Sequence, residues 1–301
     1  MELRDLAAKM TLSFLNSALG RNWNVKGNSR VPHRISVLDC KEAILRIFPV
    51  VKDIYAFNRA RRGRFVERCA NLARPGNVVL DVGAGSAPHR RLFSHCSYIA
   101  ADLGRLTPEQ LEGRSGYSHL SCLCDSSALP IASASVDFVL CTEVLEHVPS
   151  PLDVVAEISR VLKGGGTLVL SAPMRSGVHQ APFHFFGGFS HFWYRRFLPA
   201  AGLEILELEP VCGLFLAFSE EALRVGWYLS PMGPGSRWFR LAALPLWLVL
   251  APFLVGALPL AMYTLDRLWP INDFATGWLV KASRKTTRGG TKPKSSDSLA
   301  N

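Results

Sequence analysis

Val78-Val79-Leu80-Asp81-Val82-Gly83-Ala84-Gly85-Ser86-Ala87-Pro88 decides how the chain is read. The apolar, β-branched run from Val78 to Val82 predicts a strand covered on both faces of a parallel sheet. Gly83 and Gly85 can adopt positive φ and let the backbone approach a ligand closely. A glycine turn at the carboxyl end of a first strand is where doubly wound sheets bind nucleotides. On its own this short pattern suits several nucleotide-bearing cofactors, so the flanking sequence has to choose among them.

Upstream, Arg74-Pro75-Gly76-Asn77 is turn chemistry that leads into the strand. Apolar residues recur at helical spacing from about Lys41 to Leu72, and residues 1–72 are read as an N-terminal helical region. Its basic run, Asn58 to Arg64, is expected to be a solvated helix face, with an anion-binding role as the alternative. Downstream, His89 to His95 is expected to form the first crossover helix. Strand two is Tyr98 to Ala101 and ends in Asp102, which is placed to accept hydrogen bonds from ribose hydroxyls. A third short strand ends in Asp125, whose carboxylate can accept from an adenine amino group. Strand four is Val136 to Cys141. A helix from Pro151 to Leu162 follows, ended by Lys163-Gly164-Gly165-Gly166, and then strand five, Thr167 to Ser171.

These pieces resemble the class I S-adenosylmethionine (SAM)-dependent methyltransferases, in the broad group that includes ubiquinone-biosynthesis methyltransferases. The resemblance rests on LDVGAGSAP (80–88), AADLG (100–104), CDSSALP (124–130), VDFVLCTEVLEHVPSP (136–151) and LKGGGTLVLSAP (162–173), five motifs in the correct order. It implies an α/β, Rossmann-like, doubly wound sheet of seven strands with an antiparallel last strand. It further implies that SAM is the cofactor, with Asp81, Gly83 and Gly85 lining its methionine end. Asp102 would hold the ribose, Asp125 and Ser126 the adenine, and Glu143 would face the methionine moiety or the acceptor. The third glycine of the usual pattern is Ala87 here.

Two histidine-bearing stretches are candidates for proton handling, because an oxygen nucleophile needs a base whose pKa lies near the working pH. Glu143-x-x-Glu146-His147 resembles a divalent-metal cluster of some O-methyltransferases, and on a helix its three residues would share a face. The same letters recur as ordinary helix residues, so no metal ligand is assigned. The second stretch is His179-Gln180-Ala181-Pro182-Phe183-His184-Phe185-Phe186. Relatives often carry an acid at the position of His184. His179 and Glu143 are the catalytic candidates.

The chain has 34 Lys and Arg against 24 Asp and Glu, for a formal charge of +10. Its mean hydropathy is nevertheless +0.16. Apolar residues must therefore be concentrated, and they are: Leu241 to Tyr263 is apolar throughout, about 34 Å long as a helix. This run lies in an insert (211–272) that separates strand six of the core (73–210) from a closing strand (273–283), ahead of a basic tail (284–301). Pro245, Pro252 and Pro259 predict a broken run, a bent hairpin or interfacial helices that enter and leave on one face. The basic excess suits an anionic membrane surface. Expected partners are that surface and a lipid-linked or other small-molecule acceptor, on the cytoplasmic face of a membrane. The expected transfer is O-methylation; the alternative is a degenerate methyltransferase fold serving as a membrane-bound scaffold. No Asn-Pro-Pro-Tyr-type motif follows strand four, so nucleic acid is not an expected partner. The seven scattered cysteines are read as reduced thiols, and Met1 to Asp5 lacks the basic start of a signal peptide.

Overall fold

The computed structural model describes residues 49–107, 110, 117 and 119–286. The first part of the expected N-terminal region and most of the basic tail therefore lie outside the described residues. Helices α1 (Pro49–Tyr55) and α2 (Phe57–Ala70) precede strand β1 (Val78–Val82). β2 (Ser97–Asp102), β3 (Cys122–Leu123), β4 (Val136–Thr142), helix α3 (Pro151–Val161) and β5 (Leu162–Pro173) follow. The chain continues through α4 (His191–Ala200), β6 (Leu203–Pro210), α5 (Leu214–Leu229), α6 (Arg237–Ala251), a π-helical stretch (Pro252–Ala257), α7 (Leu258–Leu268) and β7 (Gly277–Arg284).

The strands form one seven-stranded sheet in the order β3-β2-β1-β4-β5-β7-β6. β7 is antiparallel to both β5 and β6, and the remaining pairs are parallel. This is the α/β sheet, reversing direction of winding beside β1 and closed by an antiparallel strand, that the sequence predicts. β1 and β4 lie side by side at the reversal, so the loops beyond their carboxyl ends diverge and leave a crevice. The sheet is buried on both faces: Leu80, Val139, Leu168 and Leu170 pack with Ile158 and Tyr194 on one side, and Val79, Phe138 and Leu140 pack with Phe65, Val66 and Phe93 on the other.

Three local expectations are corrected. The first crossover is a 3₁₀ turn, Arg90–Phe93, not a helix. Only residues 83–96 separate β1 from β2, and the glycine turn consumes much of that length. The glycines at 164–166 continue β5 in place of a separate helix stop, because α3 already ends at Val161. The prolines of the insert do not break it either: Arg237–Leu268 is one helix of 32 residues. Pro252 opens the π-helical stretch and Pro259 follows directly after it, so the change of winding between them takes up the bonds the prolines remove. The bend that returns the chain instead lies at residues 230–236, between α5 and α6. α5 packs back along this long helix, with the Trp247 indole N–H donating to the Gly226 carbonyl at 3.1 Å.

Candidate functional site

A cavity of about 750 Å³ opens at the carboxyl ends of β1, β2 and β4, a size ordinary for a cofactor site. Val82 to Ser86, Asp102, Asp125, Ser126, Glu143 and His179 are on its wall, which gathers most of the sequence-predicted site. The glycine turn owes its shape to backbone that other residues adopt at a cost. Gly83 has φ +67° and Gly85 φ +51°. A Cβ on Gly83 would lie 2.4 Å from Cγ2 of Val144, so only glycine lets the β4 loop close over the turn. Ala87, standing where the third glycine is usual, is itself at φ +47°.

Asp102 ties two loops together. One carboxylate oxygen accepts from the Gly85 N–H at 2.9 Å and the other from the Gly104 N–H at 2.8 Å. The Tyr117 hydroxyl, which accepts from the Leu106 N–H at 2.7 Å, also hydrogen-bonds this carboxylate. Asp125 accepts from the backbone N–H and the hydroxyl of Ser127, and these bonds hold its carboxyl below the usual range. Both acids therefore stand on the cavity wall as hydrogen-bond acceptors.

Asp81 is a correction. It is 2% exposed and is not on the cavity wall; it lies beneath the turn, where the Tyr98 hydroxyl donates to it. Burial pushes its pKa up to about 7, against the lowering effect of that hydrogen bond. The hydrogen bond from Tyr98 joins β1 to β2.

Glu143 lies on the wall but not on a helix. It has φ +56°, an uncommon conformation for a non-glycine residue, and precedes a 3₁₀ turn, Leu145–His147. Its carboxylate accepts from the Ser171 hydroxyl at 2.8 Å and pairs with Arg62 of α2 at 2.9 Å. The expectation that Glu143, Glu146 and His147 share a helical face is therefore not met. Glu146 turns inward and is 1% exposed, with its pKa raised well above the usual range by burial and by Glu143. His147 turns toward the loop after β5. There its ring meets those of His179 and His184, with centroids 4.7 Å and 5.8 Å away.

Two groups on the wall were not singled out from sequence as site residues. Arg59 and Arg62 reach it from α2, so the basic run is partly a cavity wall and not only a solvated face. Its signal was the excess of arginine over any helix-pairing pattern. Gln180, Phe183 and Phe185 come from the loop after β5, which is pinned by the Phe185 N–H donating to the Glu146 carbonyl at 2.9 Å.

Residues 80–170 match the family described as "Methyltransferase domain". The chain is 32% identical over 124 residues to the sarcosine/dimethylglycine N-methyltransferase of Halorhodospira halochloris, covering 38% of this chain and 44% of that protein. It is 36% identical over 133 residues to the ubiquinone biosynthesis O-methyltransferase of Hahella chejuensis, covering 42% and 54%. Among solved structures, it is similar to Haemonchus contortus phosphoethanolamine N-methyltransferase 2 in complex with S-adenosyl-L-methionine, at 16% identity and TM-score 0.43, over 74% of this chain and 52% of that one. The chain thus spans about half or less of the length of these curated relatives. The matched segment runs from β1 into β5 and contains Asp102 and Asp125, so this chain carries a class I SAM-dependent methyltransferase domain.

Proposed function

We propose that the chain is a SAM-dependent methyltransferase acting at a membrane surface on a lipid-linked or similarly apolar acceptor. The observation that carries the first half is the joining of Gly83, Gly85, Asp102 and Asp125 around one cavity at the sheet's winding reversal. The cofactor fits these residues: the two acids offer acceptors for a ribose and an adenine amino group, and the glycine turn offers bare backbone where a Cβ would collide. When bound, SAM supplies a methyl group on a sulfonium, so that the acceptor oxygen loses its proton, the new O–CH₃ bond forms and the C–S bond breaks. The chain's own share of that chemistry is positioning and exclusion of water. Proton handling falls to the wall between Glu143 and His179, the two candidates named from sequence, with His147 and His184 packed against the latter.

The membrane half is supported by the insert. A 32-residue apolar helix is only about one-tenth buried over its most apolar stretch. Val249, Leu248, Phe253 and Leu260 are all more than half exposed. Exposed apolar area of this kind marks an interaction surface. The insert is continuous with the core, so the exposed apolar surface and the cavity belong to one polypeptide.

The test has two parts. Calorimetric titration of SAM into the full chain in detergent should give one-site binding that Asp102→Ala abolishes or weakens at least tenfold. Membranes incubated with the protein and methyl-labelled SAM should then carry label in the organic-extractable fraction. Folded wild type that binds no SAM would sink the enzyme reading and leave a scaffold. Label confined to water-soluble products would sink the lipid acceptor.

A further inference from the structure

Three imidazoles from two separate segments converge where the cavity meets the loop after β5. His147 comes from the 3₁₀ turn after β4, and His179 and His184 come from the loop between β5 and α4. One ring nitrogen of each lies within 4.8 Å of those of the other two. We propose that His147, His179 and His184 are the ligands of a single divalent transition-metal ion, with zinc the best match to the donor set.

The hydrogen bonds around the cluster already select the metal-binding tautomer in two of the three rings. Nδ1 of His147 faces the Phe183 carbonyl at 2.5 Å, and Nδ1 of His179 faces the Gly177 carbonyl at 2.9 Å. A carbonyl oxygen can only accept, so each Nδ1 carries the proton and each Nε2 is left with its lone pair. An Nδ1–H bond to a backbone carbonyl is the arrangement that orients metal-bound histidines.

Two unpartnered polar atoms lie beside the cluster. Nδ1 of His184 is buried with no partner, and so is Oε2 of Glu146. Glu146 is 1% exposed, and its Oε1 lies 3.6 Å from Nε2 of His147. Edge-to-face packing explains why three aromatic rings gather, but it leaves these two polar atoms unpaid in hydrogen bonds. A cation among the three nitrogens would satisfy the ring nitrogen directly and the carboxylate by its charge. Tetrahedral zinc with Zn–N of about 2.0–2.1 Å needs nitrogens about 3.4 Å apart, so the rings must draw in by roughly 1 Å. Two of the three, His179 and His184, ride the loop between β5 and α4, so the closure falls on that loop and on the ring torsions.

Three protein ligands leave one position open, as in catalytic zinc sites. His147 and His179 are both on the cavity wall, so that position faces the cavity and suits an acceptor oxygen. This role rests on the methyl-transfer reading; the binding site itself does not.

Cobalt tests it. The full chain in detergent, stripped with a chelator, is titrated with Co²⁺ alone, and SAM binding is measured separately. One equivalent should bind with the visible bands of four-coordinate cobalt, and Zn²⁺ should displace it. His179→Ala and His184→Ala should each weaken binding at least tenfold, whereas Glu143→Gln should leave cobalt affinity within about twofold. His184, off the cavity wall, serves as the folding control: His184→Ala should bind SAM as wild type does. Wild type that binds SAM but takes up no stoichiometric cobalt overturns the site, as do histidine variants that bind cobalt like wild type. Loss of cobalt in Glu143→Gln with retention in His184→Ala overturns it in favour of the acidic set. Cobalt binding without SAM binding keeps the site and sinks only its role in transfer.

Discussion

Asp81 sits within the buried part of β1, with a carboxyl that has no water to ionise into and one hydroxyl, that of Tyr98, to lean on. Its folded pKa of about 7 stands above the ordinary aspartate value, so the native state holds this proton more tightly than the unfolded chain does. The stability it contributes is complete below about pH 4 and is lost as pH rises through 7. Asp81→Asn should remove that dependence. Thermal melting in detergent at pH 5 and pH 8 should show wild type losing more midpoint than the variant between the two. Parallel shifts would mean Asp81 ionises as freely as in water. Gly83 carries a different constraint, since its φ of +67° and its 2.4 Å approach to Val144 penalise any side chain. Gly83→Ala should cost about 1–3 kcal/mol. Adding Val144→Ala should recover the part due to collision but not the part due to φ, which chemical denaturation of the single and double variants would separate. The glycines were legible because their chemistry is local. Asp81's place off the cavity wall was not, because a period of two along β1 says which face a residue takes, not whether a turn lies between it and the cavity.

At the scale of elements, the sheet was almost wholly legible and the insert only half so. β1 and β4 announce themselves as β-branched runs, Asp102 and Asp125 mark the ends of the second and third strands, and the motif order fixes the places of all five. The 3₁₀ turns at Arg90–Phe93 and Leu145–His147 escaped because helical spacing over four or five residues is not distinguishable from a tight turn. The prolines misled for a physical reason: a proline costs one donor and one bond, and a long helix with a packed neighbour survives that loss. The neighbour is α5, and the joint between them is Asp266. This residue of α7 is 4% exposed and accepts from the backbone N–H groups of Gly213 and Leu216 at 3.0 and 3.4 Å. It thereby caps α5 from another helix, and it also pairs with Arg61 of α2, whose guanidinium donates to the Val211 carbonyl at 2.7 Å. Asp266→Ala would strand two buried donors and a guanidinium, a loss of about 2–4 kcal/mol. Asp266→Asn, which keeps an acceptor, should lose less than half as much. Limited proteolysis across 211–236 reads this out: early cleavage is expected in the alanine variant, and equal resistance of both variants to wild type would exclude the capping role.

The whole molecule sets a water-facing cavity rimmed by acids, histidines and arginines against a helix that water should not tolerate. Trp238 and Trp269, at 72% and 68% exposed, flank the apolar stretch at its two ends, as interfacial aromatics do. The hairpin of α5 and the long helix begins at β6 and returns to β7, and those strands are neighbours, so the insert leaves and rejoins the sheet at one place. That geometry suits insertion from one face better than a single crossing, which would part the two strands. Attachment should therefore depend on apolar contact first and on the chain's net charge of +10 second. In flotation with phosphatidylcholine vesicles, the full chain is expected to rise with the lipid and to remain there in high salt, because the Debye length shrinks to about 3 Å at 1 M while apolar burial is unaffected. Phosphatidylserine should strengthen binding only at low salt. Replacing Leu248 and Val249, 59% and 74% exposed on the long helix, by Asp puts two charges where lipid would be. At about 2.5–3.5 kcal/mol for each charge at a helix centre, the double variant should bind vesicles at least 100-fold more weakly. Its affinity for SAM should be unchanged, since neither residue is on the cavity wall. If high salt releases the wild type, attachment is electrostatic; if the double variant floats undiminished, the long helix packs against protein and not against lipid.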